Sequence, residues 1–97
     1  MTPEQKVLAR SALGLRNGWR ESYCNRYVAP PSGEIFDHWM AMVAAGMAEQ
    51  HPSKRDDGTD IYARGGVPFI LTLAGAKAAL QAGESLDPDD FPEAANG

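Results

Sequence analysis

The sequence of 97 residues contains one cysteine, two histidines and no long apolar run. Because a disulfide needs two cysteines and a metal site needs several closely spaced ligands, we expect neither, and no cofactor. Cys24 is interpreted as a small, partly buried thiol in a reducing compartment, with a reactive thiol as the alternative. No apolar run reaches the ~18 residues of a membrane span, and no signal-peptide pattern opens the chain. A cytoplasmic protein without membrane contact is expected.

Negative charge is concentrated near the C-terminus. The formal net charge is −4, yet residues 1–83 carry nine bases and eight acids, while residues 84–97 carry five acids and no base. We therefore predict one domain over residues 1–83, followed by an acidic, flexible tail over residues 84–97. The acidic balance argues against strong sequence-independent binding of nucleic acid, which depends on Lys and Arg, but it leaves room for a local basic face.

The first third of the chain predicts one helix and leaves one segment open. Thr2, Pro3 and Gln5 form a capping pattern, and Gly14 suits the left-handed residue that ends many helices, so we expect a helix ending near Leu13. Residues 19–28 fit a strand or a helix: the strand faces are mixed, whereas a helix would align the aromatic residues. The prolines after residue 29 end whichever element forms.

Residues 34–50 give the clearest helical pattern. Apolar residues recur at steps of one, three and four, as expected for a core-facing helix: Ile35, Phe36, Trp39, Met40, Val43 and Met47. Ser32 is the candidate cap, and Gly46 marks a point where the helix weakens or ends.

The rest of the domain predicts a hairpin, a strand and a third helix. Residues 51–66 form a polar loop or hairpin with its tip near Asp57 and Gly58, and residues 61–63 are a candidate short strand. Residues 69–71 have the composition of a β strand, and Thr72 can cap a helix over 73–81. The fold class is therefore α+β, with about three helices and a short β-hairpin.

Part of this order carries a resemblance. The positions concerned are Trp39, Val43, Gly46, Met47, Phe69, Thr72, Gly75 and Leu80. Their order resembles the second half of winged-helix regulators, where a helix is followed by a two-stranded wing and by a Leu-Thr-x-x-Gly phrase that opens the next helix. The resemblance implies a winged-helix-like domain and a DNA-associated accessory or regulatory role. Residues 34–50 contain no Lys or Arg, however, so major-groove reading by this helix is not expected.

A second resemblance covers most of the chain. The run Ala12-Leu13-Gly14-Leu15 and the Tyr23 to Val28 segment are similar to small uncharacterised proteins encoded by tailed phages and prophages. This likeness implies a phage-encoded protein acting in the host cytoplasm. It implies no particular activity.

Two basic groups are the candidate binding residues. The first mixes arginines with aromatic residues and the second lies on the predicted wing: Arg16, Trp19, Arg20, Tyr23, Arg26, Lys54, Arg55 and Arg64. Such mixing suits phosphate contact with base stacking, or protein contact through aromatic and arginine anchors. The alternative is that the aromatic residues are core and the arginines surround it.

No residue pattern predicts catalysis. Asp37 and His38 are adjacent on a helix and do not face each other, and His51 lies in another element. We therefore expect a non-enzymatic binding protein acting on duplex DNA or, alternatively, a protein-interaction module or inhibitor of a host or phage protein. A homodimer is a further expectation.

Overall fold

The computed structural model describes residues 1–15 and 18–95. The elements, in chain order, are α1 (Pro3–Leu13), β1 (Tyr27–Ala29), α2 (Glu34–Ala44), β2 (Ala48–Gln50), a 3-10 turn (Ala63–Gly65), β3 (Val67–Leu71), α3 (Leu73–Ala79) and α4 (Pro92–Ala95). The strands form one antiparallel sheet in the order β1-β3-β2. The α+β class is confirmed, while the winged-helix resemblance stays a prediction.

The sequence signals at both ends of α1 are confirmed. The Thr2 side chain accepts a hydrogen bond from the Gln5 N–H, and the Gln5 side chain accepts one from the Thr2 N–H. Gly14 ends the helix with φ 76°. A Cβ at Gly14 would lie 2.6 Å from the Tyr23 ring carbon Cζ, so this glycine also makes room for that ring.

The predicted length of α2 is wrong. The helix ends at Ala44, Gly46 turns the chain with φ 75°, and the following residues form β2. The interpretation of Gly46 as a stop was correct, but the apolar spacing continued past it to Met47. The predicted cap is also wrong, because Gly33 precedes the helix and no side chain caps it.

The central strand β3 holds the core against α2. Phe69 pairs with Tyr27 on one side and with Gln50 on the other. Trp39 and Phe69 are fully buried and their rings stack with centroids 5.3 Å apart, while Phe36 meets the edge of Phe69 at 5.9 Å. The tryptophan-bearing face of α2 and the apolar side chains of β3 therefore pack against each other in the core.

The start of α3 is fixed to the turn before β2. The Thr72 hydroxyl donates to the Gly46 carbonyl at 2.7 Å and accepts from the Gly75 N–H, as the predicted cap requires. Gly75 packs directly against Met47: an added Cβ would lie 2.8 Å from the Met47 carbonyl carbon. The Thr-x-x-Gly spacing thus has a packing reason in this chain. The helix is two residues shorter than predicted and ends at Ala79.

The connection between β2 and β3 is a hairpin with the predicted tip. Lys54 bridges Asp60 in antiparallel fashion, and the Gly58 N–H donates to the Arg55 carbonyl at 2.9 Å. The strand expected over residues 61–63 is wrong, since the chain forms the 3-10 turn Ala63–Gly65 at this point.

Residues 84–91 make specific contacts with the rest of the domain. The Ser22 N–H donates to the Ser85 carbonyl at 3.0 Å, and the Asp87 N–H donates to the Ser22 hydroxyl at 2.8 Å. Phe91 is buried in the core. The division of the chain at residue 83 stays a prediction, but the first part of the predicted tail is packed against the domain.

Candidate partner-binding surface

The two predicted basic groups lie at opposite ends of the sheet. Asn25, just before β1, bonds through its side chain to the N–H and carbonyl of Leu71 at the end of β3, at 2.9 and 3.1 Å. The hairpin leaves from the other end, where the His51 N–H donates to the Pro68 carbonyl at 2.9 Å. Five strand residues separate the two ends by about 13 Å. The structure therefore does not bring the arginine-rich segment and the predicted wing into one compact site.

Residues 19–26 form no helix and are tied to the end of α1 by two backbone hydrogen bonds. The Tyr23 and Arg26 N–H groups donate to the carbonyls of Leu13 and Ala12, both at 3.1 Å. These carbonyls belong to the last turn of α1 and need partners from outside the helix. The helical alternative for this segment is wrong, and only its end, Tyr27–Ala29, is a strand.

Trp19 and Tyr23 form an exposed aromatic pair. Trp19 is 59% exposed and Tyr23 is 52% exposed, while their ring centroids lie 5.6 Å apart. The interpretation of these two aromatic residues as core is therefore wrong. Tyr27, the third aromatic residue of the segment, is the one that packs inward, with its ring 5.4 Å from Trp39.

Two polar residues next to Tyr23, Ser22 and Asn25, anchor this segment, and no local pattern predicted their role. Ser22 is buried and bonds residues 85 and 87, and Asn25 bonds both backbone groups of Leu71. Between and around these inward side chains, Trp19, Arg20 and Tyr23 point to solvent. We call these three residues the aromatic–arginine surface.

The arginines differ in their availability. Arg20 and Arg26 are exposed, and in the part of the chain that the structure describes neither has an ion-pair partner. Arg26 lies three residues beyond Tyr23, at the margin of the aromatic–arginine surface. Arg16 lies outside the described residues.

Arg10 is held by an internal ion pair. Its guanidinium donates twice to the Glu84 carboxylate, with Nη2 to Oε2 at 2.6 Å, and also to the Ala79 carbonyl at 3.0 Å. The Glu84 side chain is only 9% exposed. The hydrogen bonds from Arg10 lower the pKa of Glu84 to about 2, and the same contact raises the pKa of Arg10. Arg10 therefore joins the tail to α1 and is not available to a partner.

The bases of the hairpin are balanced by acids. Lys54 Nζ lies 2.6 Å from Asp60 Oδ1, and Arg55 donates to the Asp60 carbonyl at 2.7 Å. Arg64 is exposed at φ 59° in the 3-10 turn. Residues 54–64 contain three bases and three acids. Since the charges sum to zero, the hairpin lacks the positive field that phosphate binding would need.

A polar cleft adjoins the aromatic–arginine surface. It has a volume of about 310 Å³, and Trp19, Arg20, Gln81 and the Arg10–Glu84 pair line it. Its guanidinium and carboxylate groups sum to one positive charge, because Glu84 neutralises Arg10. The cleft thus gives the exposed aromatic pair a concave, weakly positive neighbour.

The described residues contain neither a cluster of metal ligands nor a membrane-spanning helix. Among the described residues, no three His, Cys, Asp or Glu side chains are grouped to hold a metal ion. No helix over the same residues is long and apolar enough to cross a membrane. Comparison of the chain with models of known protein families, with curated proteins and with solved structures gives no match.

Proposed function

We propose that the protein is a small, non-enzymatic binding module that contacts a protein partner through the aromatic–arginine surface. The observation that carries this proposal is the exposed pair Trp19 and Tyr23, packed against each other beside Arg20. Trp, Tyr and Arg are the residue types that most often anchor protein interfaces. Gly14 makes room for the Tyr23 ring, and the hydrogen bonds of Ser22 and Asn25 hold the backbone on either side of Tyr23, so this residue needs little ordering on binding.

A protein partner is favoured over duplex DNA by the distribution of charge. The helix over 34–44 has no base, the hairpin is neutral, and the chain has a net charge of −4. Of the arginine-rich segment, Arg20 and Arg26, with Arg16 nearby in the sequence, remain for phosphate contact. Duplex binding supported by two or three bases would be weak at physiological salt, because the affinity rises with the number of phosphates that Lys and Arg neutralise. DNA binding is therefore the second outcome that the experiment has to distinguish.

The resemblance to phage proteins suggests where the partner is to be found. A phage-encoded module of this size would act in the cytoplasm of a host cell, on a host or a phage protein. The partner is therefore sought in bacterial lysates prepared with and without phage infection.

The experiment compares three immobilised baits at equal density: the natural chain, Trp19→Ala/Tyr23→Ala and Ile61→Ala. Ile61 is exposed and apolar but lies on the hairpin at the opposite end of the sheet, so it is the matched control. We expect a protein that the natural chain and Ile61→Ala retain and that the double variant loses. The purified partner should then bind the natural chain at least about tenfold more tightly than the double variant, since a central aromatic anchor contributes 2 kcal/mol or more.

Duplex DNA is tested in parallel by fluorescence anisotropy over a salt series. Binding that disappears in Arg20→Ala/Arg26→Ala, together with a lysate from which no protein is retained selectively, would contradict the proposal in favour of a DNA-associated role. Equal retention of the partner by all three baits would also contradict it.

A further inference from the structure

Val7 is an exposed apolar residue on the outward side of α1, and we call this position the apolar crest. Val7 is 68% exposed, whereas Ala9, Ala12 and Leu13 are fully buried on the inward side. With 3.6 residues per turn, Val7 points almost directly away from the middle of that buried side. A single exposed valine is common on protein surfaces, so only the residues around Val7 can indicate a binding site.

Val7 separates two hollows. The first, of about 430 Å³, lies on the flank of α1 that carries Lys6 and Arg10. The second, of about 270 Å³, lies between α1 and α2 and is lined by Leu8 and by Ile35, which is 37% exposed. Apolar side chains thus continue from the crest down the second flank.

The two flanks have opposite charge. On the first, Glu84 neutralises Arg10, and Lys6 leaves one positive charge. On the second, Glu4 and Glu34 line the hollow together with His38, whose Nε2 lies 3.7 Å from the Glu34 carboxylate. An apolar crest between a positive flank and a negative flank can be complementary to itself.

We propose that this face binds a second copy of the chain. In the dimer the two α1 helices lie side by side and parallel, related by a two-fold axis that runs between them in the same direction. A two-fold axis in this direction places Val7 against Val7 and the positive flank of each copy against the negative flank of the other. A two-fold axis perpendicular to the helices would instead place the negative flank of each copy against the negative flank of the other. The resulting interface has an apolar centre and a charged rim, as homodimer interfaces commonly have, and it uses none of the residues of the aromatic–arginine surface.

Sedimentation equilibrium of the pure protein tests the dimer. We expect a monomer–dimer equilibrium at micromolar concentrations for the natural chain and for Lys77→Glu, a matched charge control on the exposed side of α3. Val7→Asp should raise the dissociation constant at least about tenfold, because each copy loses the burial of one valine and gains a desolvated acid. Far-UV circular dichroism verifies that the variant is folded.

Charge reversal tests the orientation and does not depend on Val7. Glu34→Lys alone should weaken the dimer roughly 2- to 5-fold, because it removes an attraction to Lys6 of the second copy. In the Lys6→Glu background the same substitution should tighten the dimer, because there it removes a repulsion. A protein that stays monomeric at high micromolar concentration, a dimer unaffected by Val7→Asp, or an effect of Glu34→Lys with the same sign in both backgrounds would overturn the proposal. None of these results depends on whether the aromatic–arginine surface binds a partner.

Discussion

Replacing Gly75 by alanine should destabilise the fold strongly, although alanine favours helices. Gly75 lies in the first turn of α3, and an added Cβ would stand 2.8 Å from the Met47 carbonyl carbon, where ordinary contact begins at 3.4 Å. The Met47 carbonyl oxygen would lie closer still, so the turn before β2 would have to retreat by more than 0.6 Å, the difference between these two distances. Met47 cannot yield easily because its carbonyl accepts the Thr72 N–H at 3.1 Å.

The expected magnitude follows from three contributions. Overpacking against backbone costs about 1–3 kcal/mol. Weakening the hydrogen bonds of Thr72 to Met47 and Gly46 costs about 1 kcal/mol each. The higher helix propensity of alanine over glycine offsets about 1 kcal/mol of this loss in stability. Gly75→Ala should therefore lower the free energy of unfolding by about 2–4 kcal/mol.

Urea denaturation followed by far-UV circular dichroism measures this difference. Ala78→Gly is the matched control, since Ala78 is exposed in the same helix and should report the propensity alone, about 1 kcal/mol. A Gly75→Ala variant as stable as the natural chain would refute the assigned contact between α3 and the β2 turn.

Three further predictions concern the core and the ion pair. Phe69→Ala should cost about 3–5 kcal/mol in urea denaturation, because it removes the ring on which Trp39 stacks, and a cost below 1 kcal/mol would contradict the core assignment. Asn25→Ala should cost about 1–3 kcal/mol in the same denaturation assay, because it leaves both backbone groups of Leu71 without their side-chain partner. Asn25→Asp should not restore the stability, because its carboxylate accepts from the Leu71 N–H but faces the Leu71 carbonyl oxygen without a proton to donate. The pKa of Glu84 is lowered from 4.5 to about 2, so its stabilising contribution is present above pH 4.5 and is lost as the pH falls towards 2. The natural chain should accordingly exceed Glu84→Gln in stability by a constant amount above pH 5, and the gap should close towards pH 2; a gap independent of pH would contradict the pairing.

Features that depend on neighbouring residues could be predicted from the sequence. The caps at Thr2 and Thr72 and the stop at Gly14 are local hydrogen-bond patterns, and all three are present. The burial of Trp39 followed from the apolar spacing of its own helix. Such features need no knowledge of what lies across the fold.

Features that depend on contacts between distant residues could not be predicted from the sequence. The sequence 48–50 continues a helical pattern, but its backbone pairs with β3, more than 18 residues away in the chain. Residues 19–26 form no helix because the N–H groups of Tyr23 and Arg26 bond to the end of α1 and because Asn25 bonds Leu71. Neither partner is visible in the local composition, so the balance between strand and helix could not be decided there.

The candidate site shows the same division. Counting bases identified the arginine-rich segment and the hairpin, but a count does not reveal pairing. Lys54 lies against Asp60, and Arg10 lies against Glu84, far away in the chain. The exposure of Trp19 and Tyr23 was equally hidden, because the apolar content of a residue does not say which aromatic ring faces the core.

We propose that a protein partner covers the aromatic–arginine surface. Hydroxyl-radical footprinting of the free protein and of its complex with the captured partner tests it directly, since Trp19 and Tyr23 are exposed whereas Trp39 is buried. We expect the oxidation of Trp19 and Tyr23 to fall severalfold in the complex, while the oxidation of Val7 and Ile61 does not change. Trp19 and Tyr23 that react as fast in the complex as in the free protein would contradict it.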